Sequence, residues 1–437
     1  LILLLFFRYC GIFQLGHPIL LIRDPELIKK ITVKEFDSFS DHATFFDEEI
    51  DPFWGKNLFA SRDYLNEQNT EVTEWDLNDI VKKFTIDVIA TTAFGIQSNT
   101  LKEKDNEFFH MGQELTNFKG INRFKMMVYN LNPYIIKILN LKMISDNVSS
   151  FFHHIIKRTM EIRAKENIIR PDLIHLLMEA RKGQLKFEDS SDKDDSFATA
   201  KETYLGSTNK QFALSLTDED ITAQSLVFFF GGYDTTSILI NFCIYELVAN
   251  PDIQERLRKE VDINLKKYDG KISYEGLFKM KYLDMVISET VRKWPAAIFL
   301  DRKVVKPFTI EPETAGEKPI HLQPGDICWL PNFAIQRDSN YWPNPDTFDP
   351  ERFSDENRSK IHPFTFTPFG AGPRNCIGSR YAIMVSKLLL FYLLANFEIK
   401  PTKDTCIPLV VRKNDILLNS EHGFNFDFKK RHTLVKN

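Results

Sequence analysis

The sequence predicts a mainly α-helical chain, and three long stretches carry this prediction. Residues 216–250 are largely apolar after Thr217 and Asp220, a pair with the spacing of a capping box. Residues 282–294 show helical periodicity and end at Pro295, and residues 377–396 repeat apolar side chains at helical spacing. An apolar helix as long as the first is typically buried on all sides, so we expect it at the centre of the fold.

Composition narrows the class of function. The chain has 437 residues, enough for a large core, and a net charge of −4 with interspersed signs argues against nucleic-acid binding. Its 38 phenylalanines could line an apolar cavity for a lipophilic ligand as well as fill a core. The five cysteines show no paired spacing, which fits a reducing compartment and no disulfide framework.

The most informative segment is residues 368–380, which read PFGAGPRNCIGSR. Its glycines and prolines predict a tight, irregular loop that ends where the helix of residues 377–396 begins. Cys376 would then lie at a helix N-terminus, where backbone N–H groups and the helix dipole favour a thiolate. A thiolate beside Arg374 indicates a metal ligand, and haem iron accepts a single axial thiolate. The alternative for a lone cysteine is a small buried apolar residue.

The pattern Phe-Gly-x-Gly-x-Arg-x-Cys-x-Gly at residues 369–378 resembles the haem-binding signature of the cytochrome P450 family. The surrounding chain is similar to the insect microsomal group that metabolises foreign compounds. The resemblance implies one domain over residues 1–437, mainly α with small β-sheets at one side. It implies haem b (iron protoporphyrin IX) as the cofactor, with Cys376 as the iron ligand. The other implied cofactor contacts are Phe369, Gly370, Gly378 and two propionate partners, Arg374 and Arg302.

The long apolar stretch contains Gly231, Gly232, Asp234 and Thr235. Each mid-helix glycine costs about 1 kcal/mol against alanine, so something must approach the backbone or loosen its hydrogen bonds. Gly231 and Thr235 share a helical face, and the alternatives are a kinked core helix or a groove over a cofactor. The family's Ala/Gly-Gly-x-Asp/Glu-Thr segment is similar. It implies that Thr235 holds water beside bound dioxygen and that Asp234 helps to relay protons for O–O cleavage.

Three further side chains match a structural motif of the family. Glu289 and Arg292 are three apart on one predicted helix, a spacing that by itself indicates only a surface ion pair. With Arg352 downstream they resemble a triad that fixes the core behind the haem. Gln336 stands where the family commonly has histidine. The resemblance also implies a substrate pocket formed by Phe230, Gly231, Ala297 and Ile298.

The resemblance predicts oxidation of lipophilic small molecules, xenobiotics or endogenous lipids, with O2 and supplied electrons. The chain has no nucleotide-binding glycine loop, so electrons would come from NADPH-cytochrome P450 reductase, with cytochrome b5 as a second donor. We expect attachment to the cytoplasmic face of the endoplasmic reticulum membrane. Residues 1–7 are apolar and predict either the remnant of a membrane anchor or an exposed tail or first strand.

Two regions of the sequence differ from what a compact enzyme would show. Between residues 58 and 71 we expect an internal deletion, because the family's Trp-x-x-x-Arg helix region has no counterpart there. Such a chain could be a truncated, catalytically impaired product with poor haem retention. A P450-like isomerase or dehydratase acting on peroxides is disfavoured by the Asp234–Thr235 pair. Residues 183–209 are acidic and poor in apolar side chains, which predicts a surface loop.

Overall fold

The computed structural model describes residues 8–14, 17–35, 38–39, 75–103, 105–117, 120–131, 133–139, 141–183, 196–199, 216–270, 272–313, 316–413, 415 and 417–431. The helices are α1 (Pro25–Lys29), α2 (Leu77–Phe94), α3 (Glu107–Leu115), α4 (Ile121–Leu131), α5 (Pro133–Ile138), α6 (Asp146–Glu166), α7 (Leu173–Arg181), α8 (Asp218–Ala249), α9 (Pro251–Lys267), α10 (Tyr274–Phe278), α11 (Lys281–Lys293), α12 (Asn332–Ile335) and α13 (Ser379–Asn396). The strands are β1 (Tyr9–Gln14), β2 (His17–Ile22), β3 (Trp75–Asp76), β4 (Leu300–Lys303), β5 (Phe308–Ile310), β6 (Ile320–Leu322), β7 (Ile327–Leu330), β8 (Phe397–Pro401) and β9 (Asn425–Lys430).

The long helix α8 forms the centre of the main core. The Thr217 side chain accepts the Asp220 N–H and the Asp220 carboxylate accepts the Thr217 N–H, so the predicted capping box is confirmed. The helix packs against α2, α6, α11 and α13. It is long and apolar enough to span a membrane, but 67% of its most apolar window is buried inside the protein, as in a core helix. At its end, the Asn250 side chain does not cap α9 and instead donates to the Glu246 carbonyl.

The helix α8 continues without interruption through both glycines. A Cβ on Gly232 would lie 2.6 Å from Cδ1 of Ile89 on α2, which explains why this position has no side chain. The predicted close approach to the helix backbone is therefore made by α2 at Gly232.

Small sheets flank the helical core. The largest has the order β1-β2-β7-β4, with β2 parallel to β7 (Ile19 opposite Ile327) and the other pairs antiparallel. A second sheet has the order β3-β9-β8, and β5 pairs with β6. The four-stranded sheet and α1 enclose a separate small core. The mainly α fold with small sheets is confirmed.

Three predicted regions lie wholly or mostly outside the described residues: residues 1–7, the interruption between residues 58 and 71, and the acidic connection of residues 183–209. The connection is described at residues 196–199, and here the surface-loop prediction is wrong. Ser196 and Ala198 are buried (6% and 3% exposed) and Phe197 packs on two aromatic rings. The prediction followed the average polarity of the segment, which hides one apolar cluster.

Candidate active site around Cys376

The loop before α13 folds as a compact turn that presents Cys376. The Gly370 N–H donates to the Thr367 carbonyl at 3.0 Å, and the Cys376 N–H donates to the Phe369 carbonyl at 2.7 Å. Gly370 and Gly372 have φ of 79° and 76°, a region that L residues with side chains rarely adopt. A Cβ on Gly372 would lie 1.9 Å from the Thr32 carbonyl oxygen, so the loop rests directly on backbone beside α1.

Without a cofactor, the surroundings of Cys376 favour the neutral thiol. Helix α13 begins at Ser379, three residues after the cysteine, so the thiol is outside the first helical turn. Burial raises its pKa to about 11, and a hydrogen bond from the Gly378 N–H only partly opposes this. A thiolate therefore needs a bound metal ion, whose charge deprotonates a coordinating thiol.

Arg302 on β4 is a buried cation beside the Cys376 loop. It is 1% exposed, donating from Nη1 to the Asp301 carbonyl (2.7 Å) and from Nη2 to the Ala371 carbonyl (3.2 Å). Its Nε has no hydrogen-bond partner among the described residues. Burial lowers the pKa of Arg302 to about 10, and the charge of Arg374 adds to the lowering. A buried cation with an unused donor fits an anionic group, and a haem propionate meets that demand.

Asp234 and Thr235 lie side by side on α8, which packs against α13, the helix that follows the Cys376 loop. The Thr235 hydroxyl donates to the Gly231 carbonyl at 2.5 Å, so its oxygen lone pairs remain able to accept from water. Asp234 Oδ1 lies 3.1 Å from Lys82 Nζ on α2. A Cβ on Gly231 would meet no described atom within 4 Å, so this helical face adjoins open space.

The structure brings the three proposed triad residues together. Arg292 donates from Nε to Glu289 Oε2 (2.6 Å) and from Nη2 to Glu289 Oε1 (2.8 Å). Arg352 Nε lies 3.4 Å from the same Oε1. Glu289 and Arg292 have no exposed surface, so this is a buried network and not the surface ion pair that the spacing alone indicates.

Sequence reasoning missed the role of Gln336, which is fully buried. Its amide donates to the carbonyls of Val291 (2.9 Å) and Arg292 (2.8 Å) at the end of α11. Its Oε1 accepts the Thr367 N–H at 3.2 Å. One side chain thus joins the triad helix to the segment that leads into the Cys376 loop. The departure from histidine was visible in the sequence, but the partners were not.

The four predicted pocket residues lie on two elements. Phe230 and Gly231 belong to α8, whereas Ala297 and Ile298 lie between α11 and β4. Ala297 forms a bridge with Leu417, and the Ile298 carbonyl accepts the Phe333 N–H at 2.9 Å. An open surface groove of about 710 Å³ lies elsewhere, between α3 and α6, and is lined by residues that include Met111 and Phe151. The predicted pocket is thus not the groove between α3 and α6.

Comparison with known proteins agrees with this geometry. The family model Cytochrome P450 matches residues 62–426. Cytochrome P450 9e2 of Blattella germanica is 40% identical over 475 aligned positions, covering 97% of this chain and 86% of the relative. Probable cytochrome P450 9f2 of Drosophila melanogaster is 36% identical (95% and 85% covered), and cytochrome P450 6k1 of Blattella germanica is 33% identical (97% and 84%). With the match extending over most of the chain and including the Cys376 loop, the protein belongs to the cytochrome P450 family.

Proposed function

We propose that this chain oxidises lipophilic small molecules, xenobiotics or endogenous lipids, as a haem-thiolate monooxygenase. The family supports monooxygenase activity and haem b as the cofactor. The observation that carries the proposal for this chain is the buried Arg302, with its unused Nε, hydrogen-bonded to the Cys376 loop through the Ala371 carbonyl. The 38 phenylalanines and the apolar surroundings of α8 suit an apolar substrate.

Each of the proposed site residues has its own role in the oxidation. Haem, when bound, would supply the dioxygen chemistry, which a thiolate ligand supports by donating electron density. Cys376 would provide that ligand, and Arg302 and Arg374 would pair with the propionates. The Thr235 oxygen accepts a hydrogen bond from water, since its own proton is committed to the Gly231 carbonyl. Asp234 exchanges protons with that water when its carboxylate leaves Lys82.

Electrons must arrive from another protein in this proposal. The sequence contains neither a Gly-x-Gly-x-x-Gly fingerprint nor a phosphate-binding Gly-x-x-x-x-Gly-Lys loop. NADPH is therefore oxidised on NADPH-cytochrome P450 reductase, with cytochrome b5 as a second donor. Product formation that persists without NADPH and reductase would favour the peroxide-rearranging alternative.

Membrane association is supported by exposed apolar side chains on α4 and at the end of α5, two helices that pack against each other. Ile121, Phe124, Ile138 and Leu139 are 66%, 53%, 81% and 59% exposed. Exposed apolar side chains gathered on short helices mark an interaction surface, and helices of this kind lie in the interface of a bilayer. We place this surface against the endoplasmic reticulum membrane, on its cytoplasmic face.

A P450-type chain with poor haem retention is the second candidate. The alignment with the cockroach relative spans 475 positions and therefore exceeds the 437 residues of this chain by 38. The relative thus has residues without a counterpart here. The interval between residues 58 and 71, where we expect the deletion, lies outside the described residues.

The reduced carbon-monoxide difference spectrum tests both candidates. If Cys376 ligates haem iron, the expressed chain gives a thiolate-type Soret band, and Cys376→Ser abolishes it while Cys328→Ser, at a buried cysteine on β7, retains it. A thiolate band in Cys376→Ser would refute the ligand assignment. A chain that folds but shows no haem band after reconstitution would favour the second candidate.

A further inference from the structure

A cluster of aromatic rings lies behind the segment that leads into the Cys376 loop. Phe353 and Phe366 have ring centroids 4.8 Å apart, and Trp342 lies 6.1 Å from each. Phe197 completes the cluster, 5.3 Å from Phe353 and stacked on Phe366 at 5.6 Å. Three of these rings belong to the sequence just before the loop. Phe197 comes from the distant connection between α7 and α8.

Nothing about joining α7 to α8 requires this contact. Arg181 at the end of α7 pairs with Asp218 at the start of α8, with Nη1 2.7 Å from Oδ1. The two ends of the connection are therefore adjacent, yet its middle lies at the aromatic cluster. The docking is thus a property of residues 196–199 themselves, whose Ser196 and Ala198 are 6% and 3% exposed.

A second contact joins the same residues to Asp284 on α11, which pairs with the helix after the loop. The Phe197 N–H donates to Asp284 Oδ2 at 3.2 Å. The other oxygen of Asp284 lies 2.7 Å from Lys387 Nζ, and Lys387 has no exposed side-chain surface. A buried ammonium group requires a carboxylate partner, so Asp284 is held in place by Lys387. Lys387 belongs to α13, the helix that follows Cys376.

Phe197 therefore contacts the segment before the Cys376 loop directly and is linked to the helix after it through Asp284 on α11. Before the loop, Phe366 is followed directly by Thr367, whose N–H bonds to Gln336 and whose carbonyl accepts the Gly370 N–H. After the loop, Lys387 on α13 forms an ion pair with Asp284, so a shift of α13 would also move Asp284. The Cys376 N–H then closes the loop on the Phe369 carbonyl at 2.7 Å. Packed interiors transmit displacement between such neighbours.

We propose that Phe197 is a positioning residue for Cys376, with residues 196–199 acting as an internal plug that fills the aromatic cluster and holds both flanks of the ligand loop. The functional meaning of the plug rests on Cys376 being the haem ligand, as proposed above. The positioning itself is testable without haem.

Hydrogen exchange on the expressed chain provides that test. Phe197→Ala should raise the exchange rates of the Thr367, Gly370 and Cys376 amides by about tenfold, the loss expected from two aromatic contacts. Phe197→Tyr keeps the ring and should exchange like the unmodified chain. The matched control is Phe152→Leu. Phe152 lies in the main core beside Phe108 and Phe229, so its substitution lowers stability without touching the plug. Unchanged exchange in Phe197→Ala, or an equal increase in Phe152→Leu, would overturn the proposal.

The haem-loaded protein gives a second readout. Phe197→Ala should convert about tenfold faster from the thiolate-type carbon-monoxide band to the band of a lost thiolate, whereas Phe152→Leu should not. Cys376→Ser removes the thiolate band altogether, so failure of the ligand assignment is distinct from failure of the plug. Equal conversion rates in Phe197→Ala and the unmodified chain would refute positioning of the ligand. If the unmodified chain binds no haem, the exchange rates alone decide.

Discussion

Arg302 brings a guanidinium to a position that is 1% exposed, and this charge has opposite consequences with and without a cofactor. A pKa lowered from 12.5 to about 10 corresponds to roughly 3 kcal/mol against the charged form at neutral pH. An anionic propionate beside the unused Nε would offset that cost. Haem-free protein therefore carries the cost, and haem-bound protein benefits from the charge.

We expect Arg302→Met to leave the free energy of unfolding of the haem-free chain unchanged or to raise it by up to about 3 kcal/mol. The same variant should lose haem at least about tenfold faster, since a desolvated charge pair is worth more than 1.4 kcal/mol. Urea unfolding and haem transfer to an acceptor apoprotein measure the two effects. Lys303→Met is the control, because Lys303 is the exposed neighbour on β4. A haem-free chain that Arg302→Met clearly destabilises would contradict this account.

Thr235 and Thr236 are adjacent threonines with different surroundings. Thr235→Ala removes the hydroxyl oxygen that accepts from water, so haem should stay bound while electrons are diverted to hydrogen peroxide. Thr236 is 1% exposed, and its hydroxyl has no hydrogen-bond partner in the described part of the chain, so Thr236→Ala is the control. The measurement is the ratio of product to NADPH consumed. Equal ratios in the two variants would count against the proton-relay assignment.

At the scale of single residues, local chemistry was predictable and distant partners were not. Cys376 and its flanking glycines form a pattern readable without a structure, but the pattern does not show that burial raises the pKa of the thiol when no cofactor is bound. Lys82 and Asp234 are 152 residues apart, so no spacing in the sequence connects them. The same holds for Gln336, whose three bonds reach α11 and Thr367.

At the scale of elements, substitution of Gly231 or of Gly232 on α8 by alanine should have opposite effects on stability. Gly231→Ala meets no described atom within 4 Å and should stabilise the haem-free fold by up to about 1 kcal/mol through helix propensity. Gly232→Ala would place Cβ 2.6 Å from Ile89 Cδ1, and this overpacking should cost about 1–3 kcal/mol less the same gain. Thermal or urea unfolding of the haem-free variants measures the difference. Two variants of equal stability would show that the Ile89 side chain moves aside freely.

Elements with strong local signals were predicted closely. The Thr217–Asp220 box begins α8, and Pro295 follows soon after the observed end of α11 at Lys293. Residues 196–199 were mispredicted because their neighbours are acidic and the average composition describes those neighbours. The available signal was Phe197 itself, an aromatic residue that closely follows the acidic run of residues 188–195. Its binding partners, Phe353 and Phe366, follow it by more than 150 residues.

At the scale of the whole molecule, the exposed apolar surface of α4 and α5 predicts binding to bilayers. Phe124→Asp and Ile138→Asp should each weaken binding to vesicles of phosphatidylcholine and phosphatidylserine by about tenfold, the value of one buried side chain. Ile263→Asp is the matched control, because Ile263 is 67% exposed on α9, outside this surface. Vesicle co-sedimentation measures the affinities. An equal loss in all three variants would show a general effect of charge.

The contact between Gly372 and the Thr32 carbonyl also has a consequence for biosynthesis. Thr32, against which the Cys376 loop packs, is translated about 340 residues before Gly372. At about 5–20 residues per second, the ribosome needs roughly 20–70 s to supply the second half of this contact. Strand β2 is synthesised almost as long before its partner β7, so the β2 edge that pairs with β7 stays open on the nascent chain. Under the proposed ligand assignment, Cys376 captures haem only after this interval, during which molecular chaperones can guard the open edge of β2.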